Sequence, residues 1–312
     1  MNTYPITFPS GNSALVGMVH PAAGTPETGV LIMVAGGPQY RIGGHRQLVL
    51  WGRKIAKEGF PVFRFDFRGM GDSYGAFVDF EHADDDIRAA LDRFFAEVPS
   101  LKRVVLWGEC NACSSSLFFA HKDPRIAGLV MLNPWVRTQE GQAKTVIKHY
   151  YLHRLTERSF WAKVFRLQFD LIGSLRSALH LLRLARSGPS SSGQPSTDGG
   201  GRHGSLPERM LDGLQRFRGR IMLVMSGRDF VAKEFDDLVK ASPQWQMQLE
   251  SHNTQRHDLE FADHTFSTSA WRDQVAAWGI AWLHELVGTN AVANPSAGVS
   301  TASRSAIVGA EG

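Results

Sequence analysis

A thiol, a carboxylate and an imidazole occur in this chain in settings suited to nucleophilic chemistry. The thiol is that of Cys110, in the peptide Gly108-Glu109-Cys110-Asn111-Ala112 that follows an apolar, strand-like run. Small residues at Gly108 and Ala112 are what a tight strand-to-helix turn requires, because the turn presents one side chain and crowds its neighbours. The positive end of the following helix would favour a thiolate. We predict that Cys110 is a nucleophile, the alternative being an ordinary buried cysteine.

Residues able to activate this thiol follow later in the chain. Asp229 and His264 each come directly after a strand-like run. A nucleophile for acyl transfer needs a base that takes and returns a proton, and an acid that orients the base. We predict that His264 is the base and Asp229 the acid, although the chain contains 12 histidines. Among the nearby competitors, His252 and His257, we expect His257 to lie within a strand and to point sideways.

Backbone N–H groups near Cys110 are candidates for stabilising an oxyanion. We predict that Asn111 supplies one donor, because it directly follows the nucleophile. The second is expected from the loop after the first core strand, where Pro38 has no N–H. We select Gly37 for this role, with Gln39 in reserve. Gln39 and Arg41 are also predicted to contact substrate.

Apolar runs alternate with helix-length segments along the chain. Runs rich in Val, Ile and Leu, each followed by a helix, are typical of a parallel sheet covered on both faces. The runs are Val30–Val34, Val62–Phe65, Val104–Trp107, Leu129–Leu132 and Ile221–Met225, with a further strand over Gln255–Phe261 and a helix from about Ala270. We predict an α/β fold with a mostly parallel sheet flanked by helices. Residues 66–73, with two glycines, are expected to support the site structurally.

No cluster with the spacing of metal ligands is found outside the three candidate residues. The acidic run Asp84-Asp85-Asp86 is better explained as an exposed helix start, since carboxylates favour the first turn of a helix. We therefore predict that the protein has no metal site and uses no cofactor.

The middle of the chain differs from the rest in charge. Residues 137–187 carry ten Lys or Arg against three Asp or Glu, together with several aromatic residues, and we predict a helical cap inserted into the core. Residues 188–207, rich in Gly, Ser and Pro, are predicted to be a flexible linker. The core would comprise residues 1–136 and 208–288, followed by a disordered tail at 289–312.

Composition narrows the class of protein. The chain has 312 residues, a formal net charge of +4 and two cysteines, which argues against a disulfide framework. No charged segment followed by an apolar core occurs at the N-terminus, and no apolar run approaches the roughly 20 residues that span a bilayer. We expect a cytoplasmic protein. The basic cap is a candidate for contact with an acidic carrier, an anionic glycan or a membrane surface, the alternative being a solvated helix face. Nucleic acid is not expected.

Together these motifs resemble the α/β-hydrolase superfamily over most of the chain. The resemblance is carried by Asp66-x-Arg68-Gly69-x-Gly71-x-Ser73, Gly108-x-Cys110-x-Ala112, Gly227-x-Asp229 and Asp263-His264. The order nucleophile, acid, base is that of the superfamily. It implies the α/β-hydrolase fold with Cys110, Asp229 and His264 as a catalytic triad.

Three further peptides resemble a narrower family, the bacterial hydrolase 1 family associated with exosortase A systems. They are Gly36–Arg41, Phe65–Ser73 and Leu132–Thr138. The resemblance implies a cytoplasmic hydrolase linked to exopolysaccharide synthesis and exosortase sorting. Two residues depart from the family pattern, Glu109 before the nucleophile and Asn111 after it. We expect Glu109 either to repel the thiolate or to pair with a cap arginine, whereas Asn111 keeps its backbone N–H.

The hypothesis favoured by these residues is hydrolysis of an ester or thioester through an acyl-enzyme on Cys110. The substrate would be a small or carrier-bound acyl compound, because thiolates attack activated carbonyls readily. An acyltransferase with the same triad, a binding protein without catalysis and a redox protein using Cys110-x-x-Cys113 remain open alternatives.

Overall fold

The computed structural model describes residues 2–35, 40–136 and 204–293. Its strands are β1 (Tyr4–Ser10), β2 (Ser13–His20), β3 (Thr28–Met33), β4 (Val62–Phe65), β5 (Arg103–Glu109), β6 (Ile126–Leu132), β7 (Arg220–Ser226) and β8 (Gln255–Leu259). Its helices are a short 3-10 turn (Gly44–Arg46), α1 (Gln47–Lys57), α2 (Asp84–Glu97), α3 (Asn111–Ala120), α4 (Leu206–Arg216), α5 (Phe230–Ala241), α6 (Pro243–Ser251) and α7 (Ser269–Ala293). The predicted cap and nearly all of the predicted linker lie outside the described residues.

The eight strands form one sheet in the order β1-β2-β4-β3-β5-β6-β7-β8. From β4 to β8 in this order, all neighbouring strands are parallel. The prediction of a mostly parallel sheet flanked by helices is confirmed, and each predicted strand is present. β1 and β2 were not predicted. They pair antiparallel with each other, and β2 pairs antiparallel with β4.

Burial explains why one group of strands was recognised in the sequence and the other was not. β3 is buried at all six positions, as a strand covered on both faces must be. In β1, buried and exposed positions alternate, because only one of its faces meets the core. Since the six parallel strands point the same way, the loops after their carboxyl ends lie along one edge of the sheet, the edge where α/β proteins bind ligands.

Two domain boundaries differ from the predicted positions. α4 begins at Leu206, two residues before the predicted second part of the core, because Ser205 and Glu208 form a capping box. The backbone N–H of Ser205 donates to Glu208 at 2.7 Å. At the other end, α7 continues to Ala293, past the predicted start of the tail at residue 289. The predictions of a cap, a flexible linker and a disordered tail stay predictions.

Asp86 corrects the prediction that residues 84–86 form an exposed helix start. α2 does begin at Asp84, but the Asp86 side chain is buried. It accepts a hydrogen bond from Ser10 Oγ at 2.6 Å and an ion-paired one from Arg68 Nη2 at 2.7 Å. A buried carboxylate needs such partners. Asp86 therefore joins α2 to β1 and to the loop after β4.

A buried carboxylate, that of Asp66, organises the loop after β4. It accepts from the backbone N–H of Arg41 at 2.6 Å, from the Arg41 guanidinium, and from the N–H of Asp72 at 3.0 Å. Gly71, with φ of 51°, approaches so closely that a Cβ there would lie 2.3 Å from Asp66 Oδ2. This agrees with the predicted structural role of residues 66–73, which hold Arg41 against the end of β4.

The network continues beneath the sheet through Arg64. Its guanidinium donates to the carbonyl oxygen of Arg41 and, at 2.8 Å, to Nε2 of His20. Burial, together with the charges of Arg64 and Arg53, lowers the pKa of His20 to about 3. His20 is therefore a neutral hydrogen-bond acceptor at all ordinary pH values.

The two edges of the sheet are irregular. β1 carries Pro5 and Pro9 within its seven residues. β8 has only five residues, and Arg256 pairs there with Asp236 and Asp258.

Among the described helices, none is long and apolar enough to cross a membrane.

We predict that Asp66→Ala destabilises the protein by about 3–5 kcal/mol, because it leaves the buried guanidinium of Arg41 without its main carboxylate. The matched control is Asp258→Ala, which removes one carboxylate from an exposed ion pair with Arg256 and should cost less than about 1 kcal/mol. Urea unfolding at neutral pH measures both. Equal losses in the two variants would contradict the structural role given to Asp66.

Candidate active site

Cys110 occupies a strained turn between β5 and α3. Its φ of 57° and ψ of −127° are unfavourable for a residue with a side chain. Its N–H donates to the carbonyl oxygen of Leu132 at 2.9 Å, and its own carbonyl oxygen accepts from the N–H of Trp135 at 3.2 Å. The thiol remains partly exposed. The geometry is that of a nucleophile elbow.

Gly108 is required by the close approach of β5 to α3. A Cβ at this position would lie 2.8 Å from the carbonyl carbon of Ala112, nearer than atoms of a packed structure approach. Ala112 is itself almost fully buried. The expectation from the sequence that both flanking residues must be small therefore has a direct steric reason.

The carboxylate of Asp229 is fixed at the start of α5. It caps the helix by accepting from the N–H groups of Val231 at 3.0 Å and Ala232 at 3.2 Å. The partial positive charge at a helix N-terminus stabilises such an anion. Gly227 lets the loop pass close to the carbonyl oxygen of Glu260, which a Cβ would approach to 2.2 Å. The loops after β7 and β8 are thus packed together.

His264 lies between the other two candidate residues. Its Nδ1 is 2.7 Å from Oδ2 of Asp229, and its side chain also hydrogen-bonds the side chain of Cys110. Burial lowers the pKa of His264, but the hydrogen bonds to Asp229 and Cys110 outweigh it and raise the pKa to about 10. The structure therefore brings Cys110, His264 and Asp229 together in one chain of hydrogen bonds, in which the protonated imidazole is strongly favoured.

The two competing histidines, His252 and His257, have other hydrogen-bond or stacking partners. His252 is buried, and its two ring nitrogens bond the carbonyl oxygens of Gly219 and Leu214, each at 2.9 Å. His257 lies in β8 and stacks on Trp278, with 4.3 Å between ring centroids. Both positions are structural, and the expected sideways orientation of His257 agrees with its stacking.

Asn133 positions the loop that carries His264, a role that we did not predict from the sequence. Its Nδ2 donates to the carbonyl oxygen of His264 at 2.8 Å and to Ser226 Oγ at 2.9 Å, and its Oδ1 accepts from the N–H of Ser226 at 2.8 Å. Asn133 is fully buried and has φ of 47°. One side-chain amide thereby joins the ends of β6 and β7 to the loop that carries His264.

The residues following Asn133 reach the nucleophile as well. Trp135 donates its N–H to Cys110, and its carbonyl oxygen accepts from Ser114 Oγ in α3 at 2.8 Å. The short turn after β6 thus contacts both the elbow at Cys110 and the loop that carries His264. The sequence did contain a signal for this turn, because Asn133 and Pro134 directly follow an apolar, strand-like run.

The predicted oxyanion donors are only partly within the described residues. Asn111 is the first residue of α3 and directly follows Cys110, the position from which its backbone N–H would face a substrate oxygen. Gly37 and Gln39 lie outside the described residues. The role of each as an oxyanion donor, and of Gln39 in binding substrate, stays a prediction.

Arg41 is placed differently from our prediction. We expected it to contact substrate, but its guanidinium is largely buried and engaged by Asp66 and Asp72. Asp72 lies 2.8 Å away and also accepts from the hydroxyl of Tyr40 at 2.7 Å. An arginine held by two carboxylates has a structural reason for its position, so this geometry gives no support to substrate binding by Arg41.

Glu109 is a buried carboxyl beside the nucleophile. Its Oε2 accepts a hydrogen bond from Nε2 of Gln47 at the start of α1, and its Oε1 has no hydrogen-bond partner among the residues that the structure describes. Burial raises the pKa of Glu109 to about 7, against the opposing effects of His264 and Gln47. Within the described residues its partner is therefore Gln47, and the expected pairing with a cap arginine falls outside them.

Cys113 is unsuited to reactive chemistry. It is fully buried, and its Sγ faces the carbonyl oxygens of Gly108 and Leu132 at 3.3 and 3.4 Å. Burial raises the pKa of its thiol well above the ordinary value. Both cysteines are free. In the parts of the chain that the structure describes, no group of three or more His, Cys, Asp or Glu is placed to hold a metal ion.

The fold has many relatives among solved structures. An esterase from Pyrococcus furiosus is 14% identical, with a TM-score of 0.59 over 92% of this chain and 91% of that one. A ferulic acid-bound protein, Est1E from Butyrivibrio proteoclasticus, is 13% identical, with a TM-score of 0.58 over 91% and 99%. An esterase domain from Rhodothermus marinus is 17% identical, with a TM-score of 0.55 over 90% and 98%. At these identities the likeness establishes the fold.

The sheet order and the elbow define an α/β-fold hydrolase. Residues 46–263 match the family described as "Serine aminopeptidase, S33", and the chain belongs to this family. Although the family is named for a serine, the elbow of this chain carries Cys110. Cys110 and Asp229 lie within the matched segment, and His264 directly follows it. Among proteins with curated descriptions, none matches the sequence.

We predict that Asn133→Ala lowers the free energy of unfolding by about 1–3 kcal/mol for each buried group left unpaired, here the N–H of Ser226 and the carbonyl oxygen of His264. Asn253→Ala is the matched control, because Asn253 also has a positive φ, of 48°, but is exposed. Chemical denaturation of both variants separates lost hydrogen bonds from backbone strain. A similar loss in the two variants would mean that strain alone explains the effect.

A second prediction concerns the pH dependence of stability. The pKa of Glu109 is higher in the folded protein than in the unfolded chain, so its contribution is fully present below pH 4.5 and lost as the pH rises through 7. Between pH 4.5 and pH 8, wild type should therefore lose about 3 kcal/mol relative to Glu109→Gln. Denaturant titrations of both proteins at several pH values measure this difference. A difference that stays constant with pH would contradict a buried, titrating Glu109.

Proposed function

We propose that this protein hydrolyses a carboxylic ester or thioester through an acyl-enzyme on Cys110, with His264 as the base and Asp229 as its partner. The single observation that carries the proposal is the position of His264. Its Nδ1 lies 2.7 Å from Oδ2 of Asp229, and its side chain also hydrogen-bonds the side chain of Cys110. That is the arrangement in which a base takes a proton from a nucleophile while an acid orients it.

In the proposed mechanism the proton of the Cys110 thiol has passed to His264 before the reaction begins, and the sulfur anion attacks the carbonyl carbon of the substrate. The tetrahedral intermediate carries a negative charge on oxygen, which the N–H groups of Asn111 and Gly37 would stabilise. The bond to the leaving alcohol or thiol then breaks, and His264 gives its proton to that group. Water attacks the thioester on Cys110 with His264 again as the base, and the acid product leaves.

The strong preference for a protonated imidazole favours this cycle for a thiol nucleophile. An imidazolium beside Cys110 stabilises the thiolate that attacks, and thiolates leave readily in turn. Esters and thioesters suit such a site better than amides, because their leaving groups need less help from an acid. Two of the solved neighbours are described as an esterase and an esterase domain, which agrees with the proposed class of substrate.

The biological setting is also a proposal. The peptides Gly36–Arg41, Phe65–Ser73 and Leu132–Thr138 resemble the hydrolase 1 family associated with exosortase A systems, which supports a link to bacterial exopolysaccharide synthesis. The excess of basic residues in 137–187 supports a carrier-bound or otherwise anionic acyl substrate, or contact with an acidic membrane surface. A cytoplasmic location follows from the same resemblance.

The redox alternative is weakened by the environment of Cys113. Exchange through Cys110-x-x-Cys113 would need the second thiol to ionise and reach its partner. Burial of Cys113 raises the pKa of its thiol, and its sulfur faces two backbone carbonyls. A purely binding protein would have no use for a histidine hydrogen-bonded to both a thiol and a capped carboxylate.

We predict that purified protein, incubated with acyl thioesters and aryl esters of increasing chain length, gains the mass of one acyl group on Cys110. Cys110→Ala should show no such adduct and should lose nearly all turnover, because the nucleophile is absent. Cys113→Ala is the control, since its thiol is buried and it should still form the adduct. Intact-mass spectrometry measures all three proteins. Turnover by Cys110→Ala at the wild-type rate would exclude Cys110 as the nucleophile.

A further inference from the structure

A cavity that the proposed mechanism does not use lies between α1 and the end of β2. His20, the last residue of β2, pairs with Val62 at the start of β4, whereas Cys110 follows the carboxyl end of β5. The cavity is therefore at the opposite edge of the sheet from the nucleophile. Its volume is about 690 Å³, which is the size of a small-molecule site. Its lining includes Thr3, His20, Pro21, Arg53, Ala56 and Lys57.

Two cationic side chains, those of Arg53 and Lys57, line this cavity from α1. They are four residues apart, so they lie on the same face of the helix. Lys54, on another face, pairs with Asp273 at 2.9 Å. Arg53 and Lys57, in contrast, form no ion pair within the described part of the chain. Because like charges at this spacing destabilise a helix, an anion bound beside them would relieve their repulsion.

Hydrogen bonds determine how the Thr3 hydroxyl can be used. Nε of Arg64 donates to Nε2 of His20 at 2.8 Å, and a guanidinium nitrogen can only donate. The ring proton of His20 is therefore on Nδ1, which lies 3.0 Å from Oγ1 of Thr3 and donates to it. The Thr3 hydroxyl accepts this bond, so its own hydrogen is left for another acceptor. No described residue supplies that acceptor.

Buried groups hold this hydroxyl donor in place. His20 and Arg64 are only 2% and 3% exposed, and Arg64 also donates to the carbonyl oxygen of Arg41. A Cβ on Gly52 would lie 3.0 Å from Nε2 of His20, so α1 packs directly against the imidazole. Arg53 is the next residue along the helix. The cations and the hydroxyl are thus supported by one packed unit of α1, β2 and β4.

We propose that Arg53, Lys57 and Thr3 bind a phosphomonoester, the dianionic group of a small phosphorylated compound. Two cations match its two negative charges, and the Thr3 hydroxyl donates to a phosphate oxygen. Arginine forms paired hydrogen bonds with phosphate, whereas lysine adds a point charge. Pro21 and Ala56 provide apolar contacts for the organic part. This site is separate from the proposed hydrolysis, and neither depends on the other.

The first test is isothermal titration calorimetry of the full-length protein with glycerol 3-phosphate in low salt. At about pH 8 the phosphate carries two charges, because its second pKa is about 6. Wild-type protein should bind one equivalent with a Kd of about 1 mM or lower. Glycerol, which has the same carbon skeleton without the phosphate, should give no heat of binding. Heat of the same size from glycerol would contradict recognition of the phosphate.

The variants Arg53→Gln and Lys57→Gln should each weaken binding about tenfold, because each removes a charged hydrogen bond to the ligand. Lys54→Gln is the matched control. It removes one positive charge from the same helix, but that charge pairs with Asp273, so Kd should change less than about twofold. Equal weakening in all three variants would indicate diffuse attraction by the helix and would overturn the inference.

Thr3 distinguishes a built site from two neighbouring surface charges. Thr3→Val removes the hydroxyl and should weaken binding about tenfold. Thr3→Ser keeps the hydroxyl and should bind as tightly as wild type. Circular dichroism of each variant checks that it folds. Wild-type affinity in Thr3→Val would overturn the assigned role of the hydroxyl.

The same phosphate group occurs in soluble compounds and in lipid headgroups. Sedimentation with phosphatidylcholine vesicles that contain phosphatidic acid distinguishes these sources. Binding of glycerol 3-phosphate supports a soluble ligand, whereas binding to the vesicles alone, weakened in Arg53→Gln, supports a lipid headgroup. Wild-type protein that binds neither the vesicles nor glycerol 3-phosphate at about 10 mM overturns the inference.

Discussion

The strained backbone of Cys110 is the constraint on which the rest of the site depends. A positive φ at a residue with a side chain costs about 1–3 kcal/mol and persists only where its surroundings enforce it. Here the enforcement comes from Leu132 and Trp135, which bond the peptide groups of Cys110 on both sides. Gly108 allows α3 to approach β5 closely enough to close the turn. The strain therefore fixes where the thiol points and where α3 begins.

The remaining parts of the site are held by polar groups that are themselves fixed. Asp229 caps α5 and cannot turn away without losing two hydrogen bonds. Asn133 holds the backbone of His264 from the opposite side, so the imidazole is positioned by its side chain and by its main chain. Asp66 anchors the backbone N–H of Arg41, just after the segment that contains Gly37. Preorganisation of this kind lets a site act without rearranging during the reaction.

The sequence sufficed for the features that depend on local pattern. β3 to β7 are rich in apolar residues, and Cys110, Asp229 and His264 each follow a strand in the order of their superfamily. β1 was missed because its buried residues alternate with exposed ones. Asn133 and Gln47 were missed for a different reason, since their partners His264 and Glu109 lie 131 and 62 residues away in sequence. Such long-range contacts can be predicted only when the order of the strands in the sheet is known. The burial of Arg41 between Asp66 and Asp72 could not be predicted for the same reason.

The prolines of β1 have a consequence for how copies of this protein meet one another. N–H groups of alternate residues point to the same side of a strand, and proline is tolerated in a sheet where its missing N–H faces outward from an edge. Pro5, Thr7 and Pro9 therefore share the outer side of β1, and Thr7 alone among them can donate. A second sheet pairing with this edge would leave two of its carbonyl oxygens without donors, so β1 protects the sheet against growth by edge-to-edge association.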